Sequence, residues 1–271
     1  MSLDLPEDHI AKRTVVYRLP EMEEVTVEPD LAYSSRDGAA LTMDLYRSPD
    51  MGPGDQRPAV VLVAGYPDPG FRKIVGCRFK EMGSTVSWAR LLAASGLAAV
   101  AYENADPAAD LEALLAHLRE SAETLGIDAT RLGLWASSGN VPLAFAALMA
   151  DEHESLRCAA LLYGYTLDLD GASDVAAAAQ AWRFANPAAG RSVEDLPRTT
   201  PLFIARAGRD ETPNLNRALD RFAARALACN LPLTLVNHPE GPHAFDLFDA
   251  SETSRAIVRQ TLDFLVRHLG A

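Results

Sequence analysis

The chain has 271 residues, of which 48% are hydrophobic, and its formal net charge at pH 7 is −12. This length and hydrophobic content fit one large α/β domain better than two small ones. The negative charge argues against nucleic acid or an anionic membrane as a partner, because both would repel it. No apolar run approaches the roughly 20 residues that a membrane-spanning helix needs.

Cysteine usage and the N-terminus bear on the cellular compartment. The three cysteines, Cys77, Cys158 and Cys229, are widely spaced and odd in number. They indicate buried thiols in a reducing compartment rather than a disulfide framework or a zinc site. The N-terminus is acidic and lacks the basic-then-apolar pattern of a secretory signal. We therefore expect a cytoplasmic protein.

The first part of the chain predicts a polar extension followed by a β-hairpin. Residues 1–21 are the extension, with a short helical piece around Ile10–Val16, and one folded domain is expected over residues 22–271. Residues 36–38, Arg-Asp-Gly, predict the hairpin turn. The strand-like stretches on either side of this turn are Glu24–Glu28, Leu31–Ser34 and Leu41–Tyr46.

Apolar strands and amphipathic helices then alternate. Continuous apolar runs are typical of strands that are covered on both faces of a mostly parallel sheet. The predicted strands are Ala59–Ala64, Leu97–Tyr102, a short one around Leu132–Leu134, Cys158–Tyr163, Pro201–Gly208 and Leu231–Val236. The predicted helices begin at a Ser84 cap, at Asp106-Pro107 and after Asn140, and two more cover Asn214–Cys229, with Leu219, Phe222 and Leu227 facing inward, and Ser251–His268.

Two stretches do not follow this alternation. A long loop rich in Gly and Pro is expected over residues 65–83, and residues 165–199 suggest a small cap-like insertion with one helix. The remaining pattern predicts an α/β fold, with a doubly wound, mostly parallel sheet that carries an N-terminal antiparallel hairpin. The insertion would follow the sixth strand.

The first chemical signal is a strand, a tight turn with two serines, and an apolar, Ala-rich helix, over residues 131–150. This is the arrangement of a nucleophile elbow, in which a helix N-terminus can stabilise negative charge. Ser137 as the nucleophile would put Trp135 at a position that must be small. Ser138 puts Ala136 there, so Ser138 is the predicted nucleophile. Taken alone, the motif is more often an ordinary loop, because Ala136 and Asn140 replace the two glycines of G-x-S-x-G.

Two further polar residues follow later strands. Asp210 comes after the strand that ends near residue 208, and His243 comes after the strand that ends near residue 236. The carboxyl ends of parallel strands are where ligand chemistry lies in open α/β sheets. By itself, Asp210 could cap a helix and His243 could be a surface-loop histidine. The order Ser138, Asp210, His243 is that of the α/β-hydrolase triad, and it favours catalysis.

From about residue 22 the chain resembles the α/β-hydrolases, nearest to the dienelactone-hydrolase and prolyl-oligopeptidase-like esterase branches. The motifs that carry the resemblance surround the three triad residues: Leu-Trp-Ala-Ser-Ser-Gly-Asn at 134–140, Ala-Gly-Arg-Asp-Glu-Thr-Pro at 207–213 and Glu-Gly-Pro-His-Ala-Phe at 240–245. Dienelactone hydrolases use a cysteine nucleophile, so Ser138 favours an esterase. Family members often carry His-Gly-Gly in the loop after the strand 59–64, where this chain has Ala64-Gly65-Tyr66.

These features predict a serine hydrolase that cleaves a small carboxylic ester through an acyl-enzyme. His243 would act as the base and Asp210 would orient it. The N–H of Gly139 would be one oxyanion donor, and the resemblance implies the N–H of Tyr66 as the other. No metal or cofactor is expected. The candidate walls of the substrate pocket are Tyr165, Trp182 and Phe184, unless they only pack the insertion onto the sheet.

Two alternatives stay open at this stage. One is a hydrolase of small peptides or aminoacyl esters, and the other is a non-catalytic member of the fold that binds a small ligand or a partner. An intact triad argues against the second alternative. The expected partner is a small-molecule ester, with no nucleic acid and no membrane, and a homodimer is compatible with these features.

Overall fold

The computed structural model describes residue 6, residues 9–52 and residues 54–270. Eight strands of this part of the chain form one sheet, in the order β1-β2-β4-β3-β5-β6-β7-β8. Numbered along the chain, they are β1 (Thr26–Arg36), β2 (Ala39–Arg47), β3 (Arg57–Leu62), β4 (Ala98–Tyr102), β5 (Ile127–Ser137), β6 (Leu156–Leu162), β7 (Leu202–Ala207) and β8 (Leu233–His238).

Strand directions confirm the predicted fold class. β2 runs antiparallel to both β1 and β4, whereas every neighbouring pair from β4 to β8 is parallel. The two strand-like stretches predicted before the hairpin turn belong to one strand, β1, whose register shifts between Glu28 and Leu31. Asp30 lies at this irregularity with φ +55°, so the break in the sequence pattern is a bulge and not the end of a strand.

The helices of the described chain are α1 (Asp68–Val75), α2 (Gly83–Ala94), α3 (Pro107–Glu120), α4 (Ala122–Leu125), α5 (Val141–Ala150), α6 (Asp174–Trp182), α7 (Leu215–Ala228), α8 (Phe245–Phe248) and α9 (Glu252–Leu269). The Asp106 side chain accepts a hydrogen bond from the N–H of Ala109 at the start of α3, and Ser251 caps α9 by accepting from the N–H of Ser254. Both starts match the sequence prediction, because a short polar side chain at these positions satisfies a free N–H.

Three local predictions for the helices were wrong. The expected loop over residues 65–83 contains α1, and α2 begins at Gly83 after Met82, without a Ser84 cap. Leu227 is 61% exposed. The buried face of α7 runs through Phe222 and Ala226, and the next residue is rotated by about 100° away from that face.

The main core covers both faces of the central strands. Its largest fully buried side chains include Trp88, Tyr102 and Phe222. A separate group, here called the second cluster, is shared by the insertion and α7; it holds Tyr165, Val175, Ala178, Phe184, Leu215 and Ala218, with Tyr66 and Ala179 against it. The insertion contains one α-helix, α6, as predicted.

The described part of the N-terminal extension packs on the domain. Val15 is buried, and the N–H of Val16 donates to the carbonyl oxygen of Asp246 at 2.8 Å. The helical piece predicted around Ile10–Val16 is shorter than expected, a single 3-10 turn over Ile10–Lys12.

Cysteine burial differs in part from the prediction. Cys158 is buried, whereas Cys77 and Cys229 are partly exposed, and all three are free thiols. Among the residues that the structure describes, no helix combines the length and the apolar character needed to cross a membrane.

Candidate active site

Ser138 lies at the turn between β5 and α5. Its φ is +54°, a left-handed conformation that is uncommon outside glycine. Ser137 before it is extended, and Ser138, Gly139 and Asn140 form one 3-10 turn that leads into α5. Such a reversal lifts one side chain off the end of a strand, and strain of this kind concentrates at functional sites. Ala136 is fully buried, in keeping with the need for a small residue there.

The structure brings the three predicted triad residues together. The Ser138 Oγ lies 3.0 Å from His243 Nε2. His243 Nδ1 lies 2.7 Å from Asp210 Oδ2. Asp210 follows β7 and His243 follows β8, so neighbouring strand ends at the carboxyl edge of the sheet position both side chains. The Asp210 side chain is fully buried, whereas the His243 side chain is 33% exposed. The imidazole is therefore partly open to solvent, whereas the carboxylate behind it is not.

Asp210 is arranged to stay ionised. Burial raises the pKa of its carboxyl, but hydrogen bonds from His243 and Thr212 outweigh this effect and leave the pKa below its ordinary value. The N–H of Thr212 donates to Asp210 Oδ1 at 2.9 Å. An ionised Asp210 accepts a hydrogen bond from the N–H at His243 Nδ1, which leaves a lone pair on Nε2 facing Ser138.

One predicted oxyanion donor, the N–H of Gly139, lies within the elbow, and the other, the N–H of Tyr66, lies in the loop after β3. Neither the N–H of Gly139 nor that of Tyr66 has a hydrogen-bond acceptor among the described residues. The Tyr66 side chain packs against the elbow, because a Cβ built on Gly139 would lie 2.3 Å from the Tyr66 hydroxyl oxygen. Residue 139 must therefore be a glycine as long as Tyr66 keeps this position.

Two of the three predicted pocket residues come together with Tyr66. The ring of Phe184 stacks on Tyr165 at 5.5 Å and meets Tyr66 edge-on at 6.0 Å. The Tyr165 hydroxyl donates to the carbonyl oxygen of Pro213, in the loop that follows Asp210. Trp182 is 60% exposed and shares no ring contact with these residues in the part of the chain that the structure describes. The structure therefore does not bring Trp182 to the other two.

The sequence did not indicate a second polar network behind His243. The Tyr163 ring lies edge-on to the His243 ring, with centroids 5.1 Å apart, and its φ is +36°. The Tyr163 hydroxyl donates to Asp246 Oδ1 at 2.6 Å, and Trp88 Nε1 donates to Asp246 Oδ2 at 2.8 Å. Burial raises the pKa of the Asp246 carboxyl. The only sequence feature that could have pointed to Tyr163 is its place at the end of a predicted strand, and no sequence feature points to Asp246.

A groove between α3 and α5 is separate from the triad. Apolar side chains such as Leu111, Leu115 and Leu143 line it, together with charged ones such as Glu112 and Arg119. None of the three triad residues lines it. Within the described residues, no three His, Cys, Asp or Glu side chains cluster as metal ligands would.

No protein-family model matches the chain, and no curated protein matches it. Solved structures do match. The esterase LipW from Mycobacterium marinum is 19% identical, with 91% of this chain and 83% of that chain covered and a TM-score of 0.66. A variant of LAE6, an α/β-hydrolase enzyme from the metagenome of Lake Arreo, is 22% identical, with 93% and 84% covered and a TM-score of 0.68.

A third structure, the esterase Est2 from Thermogutta terrifontis with propionate bound, is 18% identical, with 93% of this chain and 95% of that chain covered and a TM-score of 0.61. Identities this low show the fold alone. Together with the strand order and the N-terminal antiparallel pair, these likenesses show that the chain has the α/β-hydrolase fold.

Proposed function

We propose that the protein is a serine hydrolase that cleaves a small carboxylic ester through an acyl-enzyme intermediate. The observation that carries the proposal is the continuous hydrogen-bonded chain from Ser138 through His243 to Asp210. The fold adds support, because structures that share it over most of the chain are esterases. The motifs around the triad resemble those of the dienelactone-hydrolase and prolyl-oligopeptidase-like branches, with Ser138 in place of the cysteine of the former.

Acylation needs a base and a negative partner for that base. A serine hydroxyl is a poor nucleophile at neutral pH, so His243 Nε2 accepts the proton from Ser138 Oγ as the oxygen attacks the ester carbonyl carbon. The buried carboxylate of Asp210 stabilises the imidazolium that forms and holds its orientation. His243 then gives the proton to the departing alcohol oxygen, and the acyl group stays on Ser138.

The tetrahedral intermediate carries a negative oxygen that needs fixed donors. We assign the N–H groups of Gly139 and Tyr66 to this role, because neither has an acceptor among the described residues, Gly139 follows the nucleophile and the Tyr66 side chain packs against Gly139. Each donor of this kind is worth roughly 3–4 kcal/mol in the transition state. Deacylation repeats the sequence with water. His243 takes a proton from water, the hydroxide oxygen attacks the acyl carbon, and Ser138 leaves with its proton restored.

The aromatic wall next to Ser138 favours a short acyl group. Tyr66 and Phe184 crowd the space over Gly139, since a Cβ built there would lie within 2.7 Å of both side chains. Est2, which shares the fold, is described with propionate bound, an acyl fragment of the size that we propose here. A hydrolase of aminoacyl esters or small peptides would use the same triad, so the substrate panel described below includes these compounds.

The first experiment needs no knowledge of the substrate. Intact-protein mass after treatment with a fluorophosphonate should show one adduct on the wild type and on Ser137→Ala, and none on Ser138→Ala. Esters of p-nitrophenol from acetate to octanoate, an aminoacyl ester and a dipeptide amide then rank the substrates. We expect acetate to butyrate to lead.

The outcomes separate the alternatives. No adduct on folded wild-type protein would contradict the hydrolase proposal and favour a ligand-binding member of the fold. An adduct that persists in Ser138→Ala but not in Ser137→Ala would move the nucleophile to Ser137. Preference for the aminoacyl ester or the dipeptide amide would replace the simple ester as the proposed substrate.

A further inference from the structure

Asn140 occupies a position where the elbow motif has a glycine. It is only 5% exposed. Its side-chain Oδ1 accepts a hydrogen bond from the N–H of Gly65 at 2.7 Å, a buried contact between residues 75 apart in sequence. A glycine at position 140 could not make this bond. The departure from the motif therefore creates a link between the elbow and the loop after β3.

The linked loop presses directly against the elbow. A Cβ built on Gly65 would lie 3.0 Å from both Asn140 Cα and the carbonyl oxygen of Gly139. On its other side, the carbonyl oxygen of Gly65 accepts from the N–H of Ala185 at 2.8 Å. The Gly65 residue is thus held between the elbow and the insertion, and position 65 has little room for a side chain.

The other polar groups of this loop are also engaged. Asn104 Nδ2 lies within 3.3 Å of the carbonyl oxygen of Ala64 and 3.2 Å of that of Tyr66. The N–H of Ala64 donates to the Tyr102 hydroxyl. Among residues 64–66, the N–H of Tyr66 is the one that keeps no internal acceptor. The hydrogen bonds fix the loop and leave free the donor that the oxyanion needs.

We propose that Asn140 is a positioning residue that holds residues 64–66 so that the N–H groups of Tyr66 and Gly139 converge on one substrate oxygen. An oxyanion donor is effective only within about 2.7–3.1 Å of the developing charge. A displacement of about 1 Å can cost 100-fold in rate. The inference rests on the proposed ester hydrolysis. It says that the Asn140 side chain fixes the distance between the two N–H donors.

The test is steady-state kinetics of Asn140→Ala and Asn140→Gly on p-nitrophenyl butyrate. Both variants remove the acceptor, and the second restores the glycine of the motif. We expect kcat to fall by about 100-fold in both, with KM within about threefold of the wild type. The affinity for a trifluoromethyl ketone, whose adduct with Ser138 carries the oxyanion, should fall by the same factor as kcat/KM.

The control variant is Thr261→Val, which removes a buried hydrogen bond to Ile257 within α9, far along the chain from the elbow. It should keep kcat and the ketone affinity, whatever its effect on the unfolding temperature. If Asn140→Ala folds poorly, Asn140→Gly and the ketone measurement still decide the question.

Failure of the inference and failure of the proposed function look different. A wild type that neither hydrolyses esters nor reacts with the fluorophosphonate removes the function itself. An active wild type whose Asn140 variants keep kcat, or lose kcat without a matching loss of ketone affinity, overturns the positioning role alone.

Discussion

The main core and the second cluster serve different parts of the candidate site. Ser138 and Asp210 follow β5 and β7, whose buried residues belong to the main core, and His243 follows the edge strand β8, of which Leu233 and Val236 pack against that core. The pocket aromatics Tyr165 and Phe184 belong to the second cluster, a small group shared by the insertion and α7. The triad and the proposed pocket aromatics therefore depend on different packing units.

One helix joins the two units. Leu215 and Ala218 of α7 pack in the second cluster, whereas Leu219 and Phe222, on the same helix, pack in the main core. An ion pair between Arg217 of α7 and Asp174 of α6, at 2.6 Å, ties the insertion to this helix. We therefore expect substitutions in the main core to change mainly stability, and substitutions in the second cluster to change substrate preference as well.

The largest effect is expected in the main core. Phe222→Ala removes a fully buried ring that lies 4.8 Å from the Phe145 ring. It should lower the free energy of unfolding by about 3–5 kcal/mol, because of the lost burial and the cavity left behind. Urea unfolding measures this loss. At a temperature where the variant is folded, kcat and the preference among acyl chain lengths should match the wild type. A changed preference would contradict the separation between the main core and the second cluster.

A smaller effect on stability and a larger effect on substrate choice are expected in the second cluster. Phe184→Ala should cost about 3 kcal/mol of unfolding free energy, at the lower end for a buried ring, because the surrounding cluster is small. The space released beside Tyr66 should raise kcat/KM for hexanoate relative to acetate by about tenfold. The p-nitrophenyl ester panel measures the ratio. An unchanged ratio would mean that Phe184 only packs the insertion.

The smallest effect concerns the start of α9. Burial raises the pKa of Asp249, but hydrogen bonds from Ser251, Ser254 and His238 outweigh it and hold the pKa at about 2. A lowered pKa stabilises the fold above the unfolded value near 4, and this stabilisation is lost as pH falls from about 4 towards 2. Asp249→Asn should therefore cost about 1 kcal/mol at pH 6 and progressively less below pH 4.

Urea unfolding of the wild type and Asp249→Asn at pH 6 and pH 3 tests this dependence. The difference between the two proteins should shrink at pH 3. Acyl chain preference should not change, because the hydrogen bonds of Asp249 go to His238, Ser251 and Ser254 and not to the pocket aromatics. A constant difference across this pH range would contradict the role of its ionisation.

The order of the triad could be predicted from the sequence because each of its residues lies in the turn or loop that follows a predicted apolar strand. Parallel strands place their carboxyl ends at one edge, so local signals were enough to bring Ser138, Asp210 and His243 together. The bond between Asn140 and Gly65 could not be predicted, since it joins residues 75 apart and depends on how closely the loop approaches the elbow.

The differences at α1 and at Trp182 have local causes. The prolines and the glycine of residues 67–70 suggested a loop, yet a proline is tolerated in the first turn of a helix, where its missing N–H is not needed, and α1 starts there. The prediction that Trp182 lines the substrate pocket rests on its residue type alone. It is the last residue of α6, and the exposure of a side chain at a helix end depends on packing that composition does not encode.

The hydrogen bond from the Ala185 N–H to the Gly65 carbonyl oxygen has a consequence for exchanging parts of this protein with others of the fold. The insertion over residues 165–199 looks like a removable module, but it supplies one main-chain donor to the loop that bears Tyr66. A graft that brings a proline to position 185 would lack this donor. A transplanted segment must therefore keep a main-chain N–H at position 185 if the loop is to stay in place.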